Sequence, residues 1–143
     1  MNKESKNGQE ILTTETRTGL KDLSKAFLRL HKTLLDQAKV EYEAKNGRIV
    51  NVNVYFRLVI DDPHFAWLRK MSALIALIDE AVSIRRPATE TAARALFGEA
   101  RTLLNFEDAD EDFNNKFQNA LQNNSDAVLN YNDTLKFVNG RES

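Results

Sequence analysis

Residues 61–82 read DDPHFAWLRKMSALIALIDEAV, and this stretch decides the fold. Asp62 followed by Pro63 is typical of a helix start, because aspartate accepts hydrogen bonds from free backbone amides and proline fits the first turn. The helix is predicted to continue to about Ile84, since Pro87 blocks further extension. Its apolar residues cover a wide part of the helix surface: Phe65, Leu68, Met71, Leu74, Ile75, Leu77, Ile78, Ala81 and Val82. A helix this apolar is either the central element of a bundle or part of a dimer interface.

On the N-terminal side, a second helix is predicted from about Thr18 to Lys45. Its apolar residues recur at spacings of three and four, which places them on one stripe. They are Leu20, Leu23, Phe27, Leu30, Leu34 and Ala38. Residues 1–17 are polar and have no period, so they are predicted to be a flexible tail. The remaining residues, 18–139, are predicted to form a single helical-bundle domain.

The segment IVNVNVYFRLVI, residues 49–60, is ambiguous between helix and strand. Its first half alternates valine and asparagine, which is a strand signal. From Val54 onward the apolar spacing fits a helix. Because a lone strand would have no partner for its backbone groups, we predict a short helix with Asn53 as its N-cap and its end near Asp61. An extended segment stays the open alternative.

Three further helices are predicted in the C-terminal part of the chain. The first runs from about Glu90 to Leu104, and the second follows the acidic stretch 107–112. The third is predicted to have Ser125 or Asp126 as its N-cap and to end near residue 139. Short connections of this kind favour antiparallel neighbours. The predicted fold is therefore an all-α helical bundle of four main antiparallel helices plus one or two short helices.

The bulk composition agrees with a globular domain. The chain has 143 residues, of which 42% are hydrophobic and 29% charged, and its net charge is −1. This length fits one domain, and the near-zero net charge gives no indication of a polyanionic partner. There is no cysteine, which excludes disulfides and thiolate chemistry. Because the sequence shows no apolar run long enough to span a membrane, we predict a cytoplasmic protein without a membrane partner.

No motif specifies a reaction, a metal or a cofactor. The chain has only two histidines, His31 and His64, and neither follows a glutamate by three residues, as di-iron bundles require. The acids of residues 108–112 have calcium-loop spacing, but Phe113 stands where that loop needs glycine, and Asn119 stands where it needs glutamate. Nucleophile motifs and glycine-rich phosphate loops are also absent. We therefore predict no catalytic residue, no metal ligand and no cofactor.

One short segment is a candidate binding site. His64, Trp67 and Arg69 combine the single tryptophan with a histidine and a cation close to a predicted helix N-terminus, which favours anions. The structural alternative is an aromatic anchor that fixes the turn between two helices. We favour the anchor, and we keep these three residues as the binding candidates.

A basic stripe on the first long helix is a second candidate. Its members fall within about 80° on a helical wheel, and they are Lys21, Lys25, Arg29 and Lys32. Such a stripe suits nucleic acid or an anionic surface. Because Asp22 and Asp36 flank it, an ordinary solvated face is the favoured interpretation, and nucleic-acid binding is not expected.

The segment DDPHFAWLRKMSALIALIDE, residues 61–80, resembles a segment in small all-helical bacterial proteins that are themselves uncharacterised. The resemblance extends loosely from Leu30 to Val138. It implies a bacterial-type cytoplasmic helical bundle and supports a helix over residues 53–61. It implies no activity and no binding residues.

These observations lead to two hypotheses about function. The first is a non-enzymatic interaction or structural protein, which self-associates, for example as a homodimer, through the wide apolar face of the central helix. The alternative is a small-ligand or anion-binding protein, with an enzyme included, that uses the region of His64, Trp67 and Arg69. Nucleic-acid binding through the basic stripe is a distant third.

Overall fold

The computed structural model describes residues 11–139, and this part of the chain is all-helical. Its elements are α1 (Thr14–Asn46), α2 (Val52–Asp61), a 3₁₀ helix (Pro63–Phe65), α3 (Leu68–Ala81), α4 (Glu90–Leu104), α5 (Glu111–Gln122) and α6 (Ser125–Asn139). The predicted all-α class is confirmed. Residues 1–10, which belong to the predicted tail, lie outside the described residues.

The long helix α1 is the element on which the others are assembled. Its 33 residues make a rod of about 50 Å. It packs against α3, α4 and α6. Ser24 Oγ donates to Asp79 Oδ1 of α3 at 2.6 Å, and Thr33 Oγ1 donates to Asn130 Oδ1 of α6 at 2.6 Å. The predicted apolar stripe of α1 is buried: Leu20, Leu23, Phe27, Leu30, Leu34 and Ala38.

Helix α1 begins at Thr14, four residues before the predicted Thr18. The reason is a contact that only the folded chain provides. Thr13 caps the helix and its amide donates to Glu90 at 2.9 Å, while Thr16 Oγ1 donates to the same carboxylate at 2.6 Å. The first turn of α1 is therefore held by the first turn of α4.

The segment 49–60 contains a helix and not a strand. Helix α2 covers Val52–Asp61, and its N-cap is Asn51, two residues before the predicted Asn53. The Asn51 side chain accepts a hydrogen bond from the Val54 amide at 2.9 Å. Both positions are asparagine, so the residue type expected at the cap is the one found there.

The predicted continuous helix from Pro63 to about Ile84 is wrong at its start. Asp62 does act as an N-cap, but it caps only the 3₁₀ helix, where its Oδ1 accepts from the His64 amide at 2.9 Å. Phe65 is fully buried in this short helix, and two residues separate it from α3. Ala66 and Trp67 keep right-handed helical dihedral angles, so the backbone stays helical from Pro63 onward and changes from 3₁₀ to α hydrogen bonding before Leu68.

The same prediction is wrong at its end. Helix α3 stops at Ala81, three residues before Ile84, and Ile84 is 90% exposed. The Arg17 guanidinium donates to the Val82 carbonyl, and the Ala88 amide donates to the Ala81 carbonyl at 2.9 Å. These two donors form hydrogen bonds with carbonyl oxygens at the C-terminal end of α3. Those carbonyls therefore do not require the amides of another helical turn as partners.

The C-terminal helices lie where they are predicted. Helix α4 has the predicted limits, whereas α5 begins at Glu111, inside the acidic stretch 107–112, with Asp110 as its N-cap. The cap of α6 is Asn124, whose Oδ1 accepts from the Ala127 amide at 3.1 Å. The cap is therefore the residue immediately before the two predicted ones.

Candidate functional site

His64 is held by the C-terminal half of α1. Its Nε2 lies 2.7 Å from the Ala38 carbonyl oxygen. A carbonyl only accepts, so Nε2 donates a proton to this hydrogen bond. The ring also meets Phe65 and Tyr42 edge to face, with centroid distances of 4.9 and 5.7 Å. His64 is thus an anchor of the 3₁₀ helix.

Trp67 forms part of an aromatic cluster between the start of α3 and α5. Its ring centroid lies 6.0 Å from that of Phe113 and 6.4 Å from that of Phe117. Both phenylalanines are buried, and Trp67 is half-buried. Aromatic contacts of this geometry stabilise the packing of two elements. Trp67 therefore connects α5 to the centre of the fold.

The structure places His64 and Trp67 in one cleft of about 160 Å³, and Lys116 and Glu41 line the same cleft. The volume is below the range of roughly 300–1,000 Å³ that ligand sites commonly have. Lys116 Nζ lies 3.1 Å from Asp112 Oδ2, so the cation of the cleft already has an anionic partner. Glu41 adds a further negative charge, which does not favour an anion.

Arg69 does not line this cleft. Its Nε donates to the Val59 carbonyl at 3.2 Å, and its Nη2 donates to the Asp62 carbonyl at 3.1 Å. These carbonyls belong to the C-terminal end of α2, where unsatisfied acceptors and the helix dipole favour a cation. Arg69 therefore attaches α2 to α3.

Replacing Arg69 by methionine is expected to loosen α2 selectively. Methionine keeps an apolar stem of similar length but cannot donate to the two carbonyls, which costs about 1 kcal/mol. Amide hydrogen exchange in α2 should become several-fold faster, while exchange in α4 changes less. Arg57→Met removes an exposed arginine from α2 itself and is the matched control. Unchanged exchange in α2 of the Arg69 variant would show that these hydrogen bonds do not hold the helix.

The four members of the basic stripe, Lys21, Lys25, Arg29 and Lys32, are all exposed on α1. Lys32 Nζ is paired with Asp36 Oδ2 at 2.9 Å. The exposure fits both a solvated face and a binding face, so nucleic-acid binding stays a hypothesis. His31 lies beneath this face, where burial lowers its pKa while a hydrogen bond with the Leu68 backbone acts in the opposite direction.

A larger surface feature lies between α3 and α4, and we call it the α3/α4 groove. Its volume is about 510 Å³. Leu77, Ala81, Ala88, Ala92, Ala95 and Leu96 form its apolar lining, and Glu80, Arg86 and Glu99 form its charged rim. Leu77 belongs to the predicted wide apolar face of the central helix and is 49% exposed. The groove is open because the small alanine side chains of α4 leave space that larger side chains would fill.

The sequence contains a signal for this groove. Ala88, Ala92 and Ala95 recur at spacings of four and three. On the helical wheel of α4, Ala92 and Ala95 lie about 120° away from the buried row that contains Ala93 and Ala100, and Ala88 precedes the helix. The apolar surface of α4 is therefore wider than a single core requires. The apolar spacing that predicts the core of α4 includes only the buried row. It gives no reason for the row of alanines beside it.

Helix α2 presents a second apolar surface, which we call the α2 ridge. Val52, Phe56 and Ile60 follow one another at intervals of four residues and are 74%, 65% and 62% exposed. No residue of α2 is fully buried. The helix is attached instead by Tyr55, Leu58 and Val59, which pack partly against the core. An exposed apolar row on a lightly attached helix is typical of an interaction surface.

Within residues 11–139, no group of three or more histidine, cysteine, aspartate or glutamate side chains is arranged to hold a metal ion. None of the helices in the same range has the length and apolar character needed to cross a membrane.

Comparison with known proteins does not place the chain in a family. No family model matches it. No curated protein matches it, and no solved structure is similar to it. The resemblance of residues 61–80 to uncharacterised bacterial proteins therefore stays a prediction.

Proposed function

We propose that this chain is a non-enzymatic interaction protein that self-associates through the α3/α4 groove. The observation that carries the proposal is the groove itself, with its volume of about 510 Å³ and its apolar floor beside the half-exposed Leu77. An apolar centre within a charged rim has the anatomy of a protein interface. Grooves between two helices commonly receive the apolar face of a third helix. A cytoplasmic location, which the sequence resemblance implies, belongs to the same proposal.

Small-ligand binding is the alternative proposal, and the structure gives it less support. Ligand sites combine an apolar cavity with a few convergent polar groups. The cleft beside His64 and Trp67 has polar groups, but its volume is only about 160 Å³ and Lys116 is already paired. The α3/α4 groove is large enough, but its charges lie on the rim, and alanine side chains make up much of its floor. Neither the cleft nor the α3/α4 groove therefore meets both requirements of a ligand site.

The test is the mass of the protein in solution. Sedimentation velocity across a wide concentration range is expected to show association of the wild-type chain. Ala95→Arg places a long charged side chain on the groove floor and should weaken association at least tenfold. Ala95 is exposed on a helix in which arginine is well tolerated, so the fold should be retained and is checked by circular dichroism.

Ala109→Arg is the matched control, because it introduces the same charge at an exposed alanine outside the groove. This variant should associate as the wild type does. The proposal is wrong if the wild-type chain is a monomer at every concentration, or if Ala95→Arg associates as strongly as the control.

A further inference from the structure

The α3/α4 groove and the α2 ridge are complementary in shape. The ridge residues Val52, Phe56 and Ile60 lie within about 80° on the helical wheel and extend over about 12 Å. The groove follows α4 from Ala92 to Glu99, a length of about 10 Å in helical geometry, and extends beyond the start of the helix to Ala88. Three apolar anchors at one-turn spacing are what a helix-binding groove receives. The ridge is convex and the groove is concave, so the ridge can fit into the groove.

A charge beside the ridge matches one on the groove rim. Arg57 is exposed and directly follows Phe56, so it flanks the ridge. Glu80 on the rim carries the opposite charge. Among the ion pairs of residues 11–139, none involves either of these two side chains. With the ridge in the groove, the orientation that brings Arg57 beside Glu80 is favoured by their opposite charges.

A chain cannot fill its own groove with its own ridge. Asp79, next to the groove, contacts Ser24 of α1, whereas His64, just after α2, contacts Ala38. Fourteen residues separate these two points of α1, which is about 21 Å. Ile60 is only four residues from His64 and can move at most about 14 Å from it. The occupant must therefore come from another molecule.

From these observations, we infer that the α2 ridge of one copy docks into the α3/α4 groove of a second copy, so that the chains associate head to tail. This inference rests on the proposed function, because it names what occupies the same groove. The two surfaces lie at different positions along α1, so the contact is heterologous. Heterologous contacts repeat from molecule to molecule and form closed rings or open chains. The wild-type protein should accordingly form a series of oligomers that grows with concentration.

Two single variants and their mixture test the inference. Phe56→Asp removes the central anchor of the ridge, and Ala95→Arg blocks the groove. Each variant alone should sediment as a monomer at concentrations where the wild type associates. Mixed in equal amounts, they should form a complex of two chains that does not grow further, because the mixture retains one intact ridge and one intact groove. Val40→Asp, at a residue of α1 that is 67% exposed, is the control and should associate like the wild type.

The outcomes separate the inference from the proposed function. If Phe56→Asp associates as the wild type does while Ala95→Arg does not, the groove is the interface but the α2 ridge is not its occupant. If both variants are monomeric and their mixture is too, the ridge of one chain does not dock into the groove of another and the inference is wrong, whereas the loss of association in Ala95→Arg still supports the groove as an interface. If Ala95→Arg associates normally, the proposed function and the inference are both wrong. Circular dichroism of each variant verifies that the helices remain folded.

Discussion

Replacing Phe65 by alanine is expected to lower the free energy of unfolding by about 3–5 kcal/mol. Phe65 is fully buried, and its ring contacts those of Tyr42, Tyr55 and His64 at centroid distances of 5.7, 6.1 and 4.9 Å. Removing the ring leaves a cavity at the junction of α1, α2 and the 3₁₀ helix, and the surrounding side chains are tied to three elements and cannot collapse into it fully. Urea unfolding at neutral pH measures the loss.

Phe56→Ala is the matched control for this substitution. The chemical change is identical, but Phe56 is 65% exposed on α2. At a protein concentration low enough to avoid association, its effect on the free energy of unfolding should stay within about 0.5 kcal/mol. Equal losses in the two variants would contradict the packing described for Phe65.

Replacing Glu90 by glutamine is expected to lower the free energy of unfolding by about 1–3 kcal/mol at neutral pH. The Glu90 carboxylate is buried, and it accepts hydrogen bonds from the Thr13 amide at 2.9 Å and from Thr16 Oγ1 at 2.6 Å. Glutamine has nearly the same shape, but it loses the charge and offers one acceptor instead of two. Chemical unfolding compares the variant with the wild type. Glu107→Gln, at an exposed glutamate, should change stability little.

The same pair of proteins should show a defined pH dependence. Desolvation raises the pKa of Glu90, but the hydrogen bonds from Thr13 and Thr16 and the charge of Arg94 outweigh it, so the pKa lies below the ordinary 4.5. A carboxyl whose pKa is lowered by folding stabilises the protein fully above its ordinary pKa and progressively less as the pH falls through the lowered value. The difference between wild type and Glu90→Gln should therefore be constant near neutrality and shrink below about pH 4.5. A difference that does not change with acid would mean that the charge of Glu90 is not what stabilises α1.

The candidate binding site could be predicted only in part. The structure does bring His64 and Trp67 to one cleft, as their closeness in sequence suggests. Arg69 is directed elsewhere, because residues two apart in a helix are separated by about 200° around its axis. It reaches the last carbonyls of α2 instead. Helical geometry alone, applied to residues 67–69, is enough to separate the arginine from the tryptophan.

The two interaction surfaces are harder to identify from the sequence, for different reasons. The apolar residues of the α2 ridge are consistent with burial as well as with exposure, and periodicity does not distinguish these cases. The α3/α4 groove depends on the distance between two helices and on the alanines of α4. Surface shape of this kind follows from tertiary packing, which no pattern within a single helix determines.

Some features of this fold follow from the local sequence, and others depend on tertiary contacts. Helical periodicity, caps and breakers are enough to determine the all-α class and the limits of α4, because these depend on neighbours within a few residues. They leave residues 49–60 open between a helix and an extended segment, and the structure shows the helix α2. Tertiary contacts decide that α3 stops at Ala81, where Arg17 of α1 donates to the Val82 carbonyl, and that Phe106 adopts a left-handed φ of 60° against the rings of Phe117 and Tyr131. At Phe106, packing against rings from distant parts of the chain outweighs a local backbone preference of about 1–2 kcal/mol.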